Sequence, residues 1–150
     1  MDAVFVQPAI REDKLAAAPK KAKKIVCTDL FIFHAVNCWL NPVDDPFNKQ
    51  LKHVLAVRQW SSKLAEACVA THYRRRFPTF YIKSKGEVDV AYVSEDRIWP
   101  IDIKWTRPLR PKQIKQIINY PDGRILTRSK LKGEIQGIPT EPLPLALMRF

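Results

Sequence analysis

The pattern of apolar and polar residues divides the chain into a helical part followed by a strand-rich part. Apolar residues recur at helical spacing in three segments, which are predicted to be helices: 29–40, a helix that starts at Asp45-Pro46, and about 61–74. The spacing then becomes that of strands in the segments 79–83, 87–93 and 98–105. We expect a further helix from Pro111, with its apolar face formed by Ile114, Ile117 and Ile118.

Residues 124–127 are predicted to form a last core strand, so the core order is helix, three strands, helix, strand. This αβββαβ order, with extra helices before it, belongs to the α/β (α+β) class.

Both ends of the chain lack the helical or strand periodicity of the core. The Ala-, Lys- and Pro-rich stretch PAIREDKLAAAPKKAKK predicts that residues 1–24 are a flexible basic segment ahead of one domain over 25–150. Prolines 139, 142 and 144 predict a wrapping C-terminal segment with at most one short strand or helix.

Composition narrows the class of function. The net charge of +11 favours binding to a polyanion, and DNA is the first candidate. No run approaches the roughly 20 apolar residues that span a bilayer, and the first residues do not form a signal peptide, so we expect a cytoplasmic protein without membrane contact. Three cysteines without CxxC spacing argue against a disulfide framework or a structural zinc site.

A candidate site follows from the predicted hairpin of segments 87–93 and 98–105. If Val93 pairs with Ile98 across the polar residues 94–97, Asp89 lies directly opposite Asp102. Alternate residues of a strand share a face, so one face would carry four charged side chains: Glu87, Asp89, Asp102 and Lys104. The opposite face would be buried and apolar, formed by Val88, Val90, Ile101, Ile103 and Trp105.

Two carboxylates directly opposite each other repel, at a cost of roughly 0.2–1 kcal/mol, and a divalent cation between them would reverse that cost. Mg²⁺ prefers one or two carboxylates together with water and phosphate oxygens. Lys104, two residues after Asp102, could stabilise a developing phosphoryl charge, so the set suits phosphodiester hydrolysis. The simpler interpretation is that these charges are only the solvent face of a half-exposed sheet.

The element order and these acids resemble the PD-(D/E)XK nuclease superfamily. Its second strand carries an acid, matched by Asp89 in GEVDV, and its third carries D/E-x-K, matched by PIDIKW with Asp102-Ile103-Lys104. Glu66 in KLAEACV matches a helix glutamate that some members add to the metal site. One branch also has a Q-x-x-x-Y motif on the next helix, and Gln116 and Tyr120 have that spacing.

A closer resemblance covers residues 25–148. The segments DLFIFHAVNCWL, LAEACVATHYRRR, FYIKSKGEVDVAYV, PIDIKW and the Pro-rich ending are similar to the C-terminal domain of unknown function carried by archaeal and bacterial AAA-type ATPases. The chain departs from the pattern at Asp102, where that family more often has Glu, and at Val88, where the superfamily name has P. No GxxxxGK(S/T) motif occurs, so this chain resembles a stand-alone copy or the detached part of a split or truncated ATPase.

The resemblance implies roles for these residues. Asp89 and Asp102 would hold Mg²⁺ or Mn²⁺, helped by the main-chain carbonyl of Ile103, while Glu66 adds an outer ligand and Lys104 acts on the reacting phosphate. Gln116 and Tyr120 would position DNA or Lys104. The run Arg74, Arg75 and Arg76 either contacts DNA phosphates or is a solvated helix end. The alternative function is a non-catalytic regulatory module that binds DNA or docks on an AAA-type ATPase, and a homo-oligomer is a further possible assembly.

Overall fold

The computed structural model describes residues 2–84, 86–105 and 113–149. Four short strands come first: β1 (Val4–Pro8), β2 (Ile10–Arg11), β3 (Ala16–Ala17) and β4 (Lys23–Cys27). The helical part follows: α1 (Leu30–Leu40), a π-helical turn (Phe47–Leu51), α2 (Lys52–Ala56) and α3 (Arg58–Arg74). The strand-rich part contains β5 (Thr79–Lys83), β6 (Glu87–Ser94), β7 (Arg97–Lys104), a 3-10 helix (Ile117–Asn119), β8 (Arg124–Thr127), β9 (Gly133–Ile135), β10 (Ile138–Pro142) and α4 (Leu143–Leu147).

The predicted helix starts are confirmed by their caps. The Asp29 carboxylate accepts a hydrogen bond from the Phe31 N–H at 2.8 Å, which satisfies one of the free donors at the start of α1. The Asp45 carboxylate likewise accepts from the Asn48 N–H at 3.1 Å, although the turn that follows is π-helical before it becomes α2. The chain is therefore α+β, as the periodicity predicts.

One six-stranded sheet organises the molecule, in the order β5-β6-β7-β8-β10-β9. Strands β5, β6 and β7 pair antiparallel, whereas β7, β8 and β10 pair in parallel. The predicted last core strand, 124–127, is confirmed beside β7. The prediction for the C-terminal segment is wrong, because this segment adds two strands and a helix; its apolar residues Ile138, Leu143 and Ala146 are buried against the core.

The turn between β6 and β7 is shorter than predicted. Only Glu95 and Asp96 lie in it, with φ of 53° and 54°, because the strands continue to the pair Ser94↔Arg97. Two left-handed residues form the tight hairpin turn whose twist matches that of the strands. The register is nevertheless the predicted one, since Val93 pairs with Ile98 and Val90 with Ile101.

Both faces of the sheet are covered. One buried cluster contains α3 residues such as Val69 and Tyr73 together with Val90, Ile101 and Ile103. The second cluster lies on the other face, and its members include Ile82, Val88, Ala91, Ile114, Ile117 and Ile125. Neighbouring residues Ile125 and Leu126 of β8 pack in different clusters, as alternation along a strand requires.

The structure differs from the prediction of a flexible segment over residues 1–24. Strand β1 pairs antiparallel with β4, and Phe5 and Val26 join the cluster under α3. Ile10 packs in the cluster on the other face. The basic run at 20–24 therefore leads directly into a strand, because burial of a few apolar residues outweighs the polar composition around them.

The helix predicted from Pro111 begins outside the described residues. Its described part ends in a 3-10 helix, where Ile114 and Ile117 are buried but Ile118 is 43% exposed. The prediction that Ile118 shares the apolar face is wrong, because a 3-10 turn of three residues places positions 114 and 117, but not 118, on one side. Among the described residues, no helix combines the length and apolar character needed to cross a bilayer.

Candidate active site

Asp89 and Asp102 are brought together by the hairpin. The paired part of β6 and β7 ends at Val90↔Ile101, and Asp89 and Asp102 are the next residues of the two strands beyond that pair. The Asp89 Oδ2 atom accepts a hydrogen bond from the Ile103 N–H at 2.9 Å, and its side chain also interacts directly with that of Asp102. The predicted carboxylate pair is thus present in the structure.

Asp102 is buried in an environment that opposes its charge. Its residue is only 2% exposed. Burial, and then the neighbouring Asp89 carboxylate, raise the pKa of Asp102 to about 7. Lys104 acts in the opposite direction, since its Nζ lies 2.8 Å from Oδ1 and 2.7 Å from Oδ2 of Asp102. Among the described residues Lys104 pairs with Asp102, and a cation bound at the two carboxylates would take the place of the proton that the raised pKa of Asp102 favours.

A bulge between β5 and β6 sets the position of Asp89. Phe80 pairs with Ala91 and Ile82 with Val88, so two residues of β6 lie opposite the single residue Tyr81. Because the bulge adds one residue to β6, the alternation of side chains between the two faces of the sheet is shifted by one residue across it. The prediction that Val88 and Val90 share one buried face is consequently wrong, because Val88 packs in one cluster and Val90 in the other.

Alternation along β7 places Asp102 and Lys104 on the side away from α3. Ile101 and Ile103 pack in the cluster under α3, so the residues between and after them point to the other face. Trp105 is partly buried against the same cluster as Ile103, as predicted. The Asp89 carboxylate accepts from the main chain of β7 and so lies between the helix face and the Asp102–Lys104 face.

Glu66 joins the site from α3. Its side chain is 19% exposed and pairs with Lys63 at 2.8 Å. Burial and the Asp89 carboxylate raise the pKa of Glu66, while Lys63 and Lys24 oppose that shift. Glu66 is thus close enough to Asp89 to interact, but the described residues contain no group of three or more His, Cys, Asp or Glu side chains arranged to hold a metal ion.

Glu87 does not take its predicted place opposite Lys104. It forms ion pairs with Lys24 of β4 and, at 3.2 Å, with Lys83 of β5. The register explains the second pair, because Lys83 and Glu87 are cross-strand partners. The charges on this part of the sheet therefore form two separate groups. Glu87 pairs with lysines at the start of β6, and Asp102 pairs with Lys104 near the end of β7.

The Q-x-x-x-Y residues lie near the sheet without reaching the carboxylates within the described structure. The Gln116 side chain packs against Gly86, where an added Cβ would clash with it. The Tyr120 hydroxyl donates to Glu12 at 3.2 Å, and burial and this carboxylate raise the pKa of Tyr120 to about 12. The predicted support of Lys104 by these two residues is not among the contacts that the structure describes.

The arginine run is also separated from the carboxylates. Arg74, Arg75 and Arg76 are exposed at the end of α3, and the Arg74 guanidinium lies 4.2 Å from the centre of the Phe5 ring. Glu66 lies eight residues earlier on the same helix, which corresponds to about 12 Å at the α-helical rise. A shared role with the acids would therefore require a ligand that extends along the helix.

Sequence reasoning missed Gln7. Its buried side chain donates from Nε2 to the main-chain carbonyls of Phe80 at 2.7 Å and Asp89 at 3.3 Å. These carbonyls flank the bulge, where the regular ladder is interrupted. The sequence carries no clear signal for it, because Val4-Phe5-Val6 is apolar throughout; only the structure shows that Phe5 and Gln7 are buried while Val4 and Val6 are exposed.

A basic cleft lies at the carboxyl ends of β7 and β8. The parallel pairing of Lys104 with Thr127 brings Trp105 and Arg128 to the same edge of the sheet. The cleft has a volume of about 580 Å³ and is lined mainly by polar and basic residues: Leu55, Ala56, Arg58, Ser61, Trp105, Arg128 and Lys130. Its position directly after Lys104 makes it suitable for phosphate groups.

Comparisons with protein-family models, with curated proteins and with solved structures found no match for this chain.

Proposed function

We propose that the chain is a Mg²⁺- or Mn²⁺-dependent nuclease-like domain that acts on DNA, with a restriction-endonuclease-like αβββαβ core, in the cytoplasm. The observation that carries the proposal is the buried Asp102, which lies beside the half-buried Asp89 and pairs with Lys104. A buried acid next to a second acid is costly for a fold and is common where a site binds a cation or moves a proton. The order α3, β5, β6, β7 and then β8 supports the same family of folds.

The donor set fits a divalent cation. Asp89 and Asp102, the second of which has a pKa raised by burial and by the first, supply the hard oxygen ligands that Mg²⁺ or Mn²⁺ prefers. Asp89 and Asp102 would hold the ion, with the Ile103 carbonyl, water and phosphate oxygens completing its coordination, and Glu66 would act from outside through Asp89. A bound ion there would polarise the scissile phosphate and lower the pKa of a water molecule.

Lys104 has the remaining chemical role. Its ammonium lies within 3 Å of both Asp102 oxygens, so it stands beside any phosphate that approaches the pair. It cannot be a metal ligand while protonated, and its contribution is to stabilise the charge that builds up on the phosphoryl oxygens. The basic cleft of Arg58, Arg128 and Lys130 lies at the carboxyl ends of β7 and β8, on the side of α3, and would bind the neighbouring DNA backbone.

The test combines metal binding with cleavage. Thermal unfolding is measured with and without Mg²⁺ or Mn²⁺ for the wild type, for Asp102→Asn and for Glu141→Gln, which makes the same acid-to-amide change at a buried site two strands away in the sheet. We expect the metal to raise the Tm of the wild type and of Glu141→Gln but not of Asp102→Asn. Cleavage of single-stranded and plasmid DNA should follow the same pattern; equal metal effects in all three proteins would remove the site.

A second candidate is the non-catalytic module that docks on an AAA-type ATPase. The observation that favours it is α1, which contains no buried residue although it is almost wholly apolar. Phe31 and Trp39 are 76% and 79% exposed. Exposed apolar surface of this kind is typical of contacts with a protein partner or a second copy of the chain. This candidate would be favoured if the protein binds DNA but cleaves none with any divalent metal. Its DNA affinity should then fall steeply between 50 and 200 mM salt.

A further inference from the structure

A cleft of about 370 Å³ opens between β4, α1 and α3, on the helix side of Asp89. Its lining combines two kinds of residue. Phe33 of α1 and Trp60 of α3 supply aromatic rings, and the charged residues are Lys24, Lys63, Glu66 and Asp89. An aromatic surface thus shares one cavity with the Asp89 carboxylate and with the glutamate that interacts with it.

The two rings are not used as core packing. Their centroids are 5.8 Å apart with an interplanar angle of 39°, and the Trp60 residue remains 49% exposed. Trp99 shows the contrast, since its indole N–H donates to the Ser94 carbonyl at 3.2 Å and its ring stacks on Tyr92. Within the described residues the Trp60 indole N–H donates no such hydrogen bond. The Trp60 ring lines the cleft and is accessible from it.

The chemistry of this lining suits one nucleotide. A nucleobase is flat and apolar on its faces, and stacking on an aromatic side chain is the usual way in which proteins hold a base without reading its sequence. Lys63, with its side chain 61% exposed beside Glu66, could contact the phosphate attached to that base. The cleft has the size of a small-ligand site and cannot admit a double helix.

We propose that this cleft holds an unstacked base of the DNA strand whose phosphodiester lies at the Asp89–Asp102 pair, so that the preferred substrate is single-stranded or locally unpaired DNA. The inference rests on the proposed function of the carboxylate pair and adds the class of substrate. In a duplex both faces of each base are covered by its neighbours, so a ring in the protein reaches a base only when the strand is single or the base is flipped out.

Binding without divalent metal tests the cleft separately from catalysis. The affinity for a labelled 15-nucleotide oligothymidine and for the corresponding dA·dT duplex is measured by fluorescence anisotropy. Trp60→Ala should weaken binding of the single strand roughly tenfold, the loss expected for one stacked base, and leave the duplex within about twofold. Trp60→Phe keeps a ring and should stay close to the wild type. Trp39→Ala, a matched change at a tryptophan outside the cleft, should alter neither affinity.

A second variant guards against loss of structure. Phe33→Leu keeps apolar volume, and it should weaken single-strand binding several-fold while the far-ultraviolet circular dichroism and Tm stay near those of the wild type. The inference is overturned if Trp60→Ala and Phe33→Leu leave single-strand binding unchanged, or if they weaken single strand and duplex equally. It is equally overturned if Trp39→Ala has the same effect as Trp60→Ala.

The outcomes separate the two proposals. If the wild type cleaves no DNA but the single-strand preference depends on Trp60, the cleft stands and the nuclease proposal fails. If metal-dependent cleavage requires Lys104 but both single-strand preference and rate are unaffected by Trp60→Ala and Phe33→Leu, the nuclease proposal stands and the cleft is not a base site.

Discussion

Asp102 on β7 and Glu141 on β10 are both acids buried in the same sheet, and their side chains are 3% and 11% exposed. The nearest charges differ. Glu141 lies between two cations, with Arg149 at 2.7 Å and Lys132 at 3.6 Å. Within the described part of the chain, Asp102 pairs with Lys104, and it shares its environment with a second acid, Asp89.

This difference separates an acid that stabilises the fold from one that is held at a cost. A buried acid surrounded by cations contributes to the native state, whereas a buried acid beside a second acid favours protonation or a bound cation. The raised pKa of Asp102 expresses that cost. Costs of this kind persist in proteins where the residue has a function, because otherwise a neutral side chain would be more stable.

The largest expected effect is on catalysis at Lys104. Lys104→Ala should lower the rate of metal-dependent cleavage on the order of 100-fold or more, because it removes a charge that stabilises the transition state. The metal-induced rise in Tm should remain, since the carboxylates are intact. Lys132→Ala makes the same change beside Glu141 and should leave the rate unchanged. Equal losses of cleavage rate in Lys104→Ala and Lys132→Ala would show that the surroundings of Asp102 and Glu141 do not differ in function.

The second effect is on stability as a function of pH. The folded pKa of about 7 lies above the unfolded value of 3.8, so the stabilising contribution of Asp102 is complete below pH 3.8 and is lost as pH rises through 7. Without metal, this group should lower the free energy of unfolding by up to about 1.4 kcal/mol per pH unit in that window. Subtracting urea-denaturation data for Asp102→Asn isolates this contribution.

Asp102→Asn should therefore be at least as stable as the wild type at pH 8 without metal, and its advantage should shrink towards pH 5. If the variant is instead destabilised by more than about 1 kcal/mol at pH 8, roughly the worth of one hydrogen bond, Asp102 is a structural acid like Glu141.

The opposite result is expected at Glu141. Glu141→Gln should lower the free energy of unfolding by about 1–3 kcal/mol, because Arg149 and Lys132 lose the charge that they surround. Their partial exposure, 48% and 56%, allows solvent to compensate for part of the loss. Urea denaturation at pH 7 measures the change, and cleavage by the folded variant should match that of the wild type. A stabilised Glu141→Gln would show that the two acids do not differ.

The smallest effect concerns the main chain beside the site. Gln7→Met keeps the side-chain volume but removes the donor to the Phe80 and Asp89 carbonyls, and should cost about 1 kcal/mol of stability. Gln59→Met, on the exposed surface of α3, serves as the control and should be nearly neutral. Equal stability of the two variants would mean that Gln7 does not support the bulge next to Asp89.

The carboxylate pair could be predicted because its position depends on local rules. The alternation along 87–93 and 98–105 and the polar turn between them led to the pair Val93↔Ile98, and Asp89 and Asp102 follow from that register. The predicted turn between β6 and β7 was two residues too long. The predicted register is nevertheless correct, because a turn that is longer by one residue on each side leaves all the other strand pairs unchanged.

Non-local features could not be predicted in the same way. The bulge opposite Tyr81 is hydrogen-bonded by Gln7, which lies more than seventy residues away in a segment whose composition indicated a tether. The ion pairs of Glu87 likewise come from strands on either side of it, β4 and β5. Contacts between distant segments carry no periodic signal in a single sequence.

The sequence alone predicted the main helices and strands between residues 29 and 105 and the strand at 124–127, how β6 and β7 pair, and that two acids and a lysine lie together, because these follow from side-chain periodicity and short turns. Tertiary structure decided how far each acid is neutralised. Lys63 pairs with Glu66 and Lys24 pairs with Glu87, whereas Lys104 pairs with Asp102 beside the second acid, Asp89. The physical reason is that charge and burial at a site are sums over all the segments that pack around it.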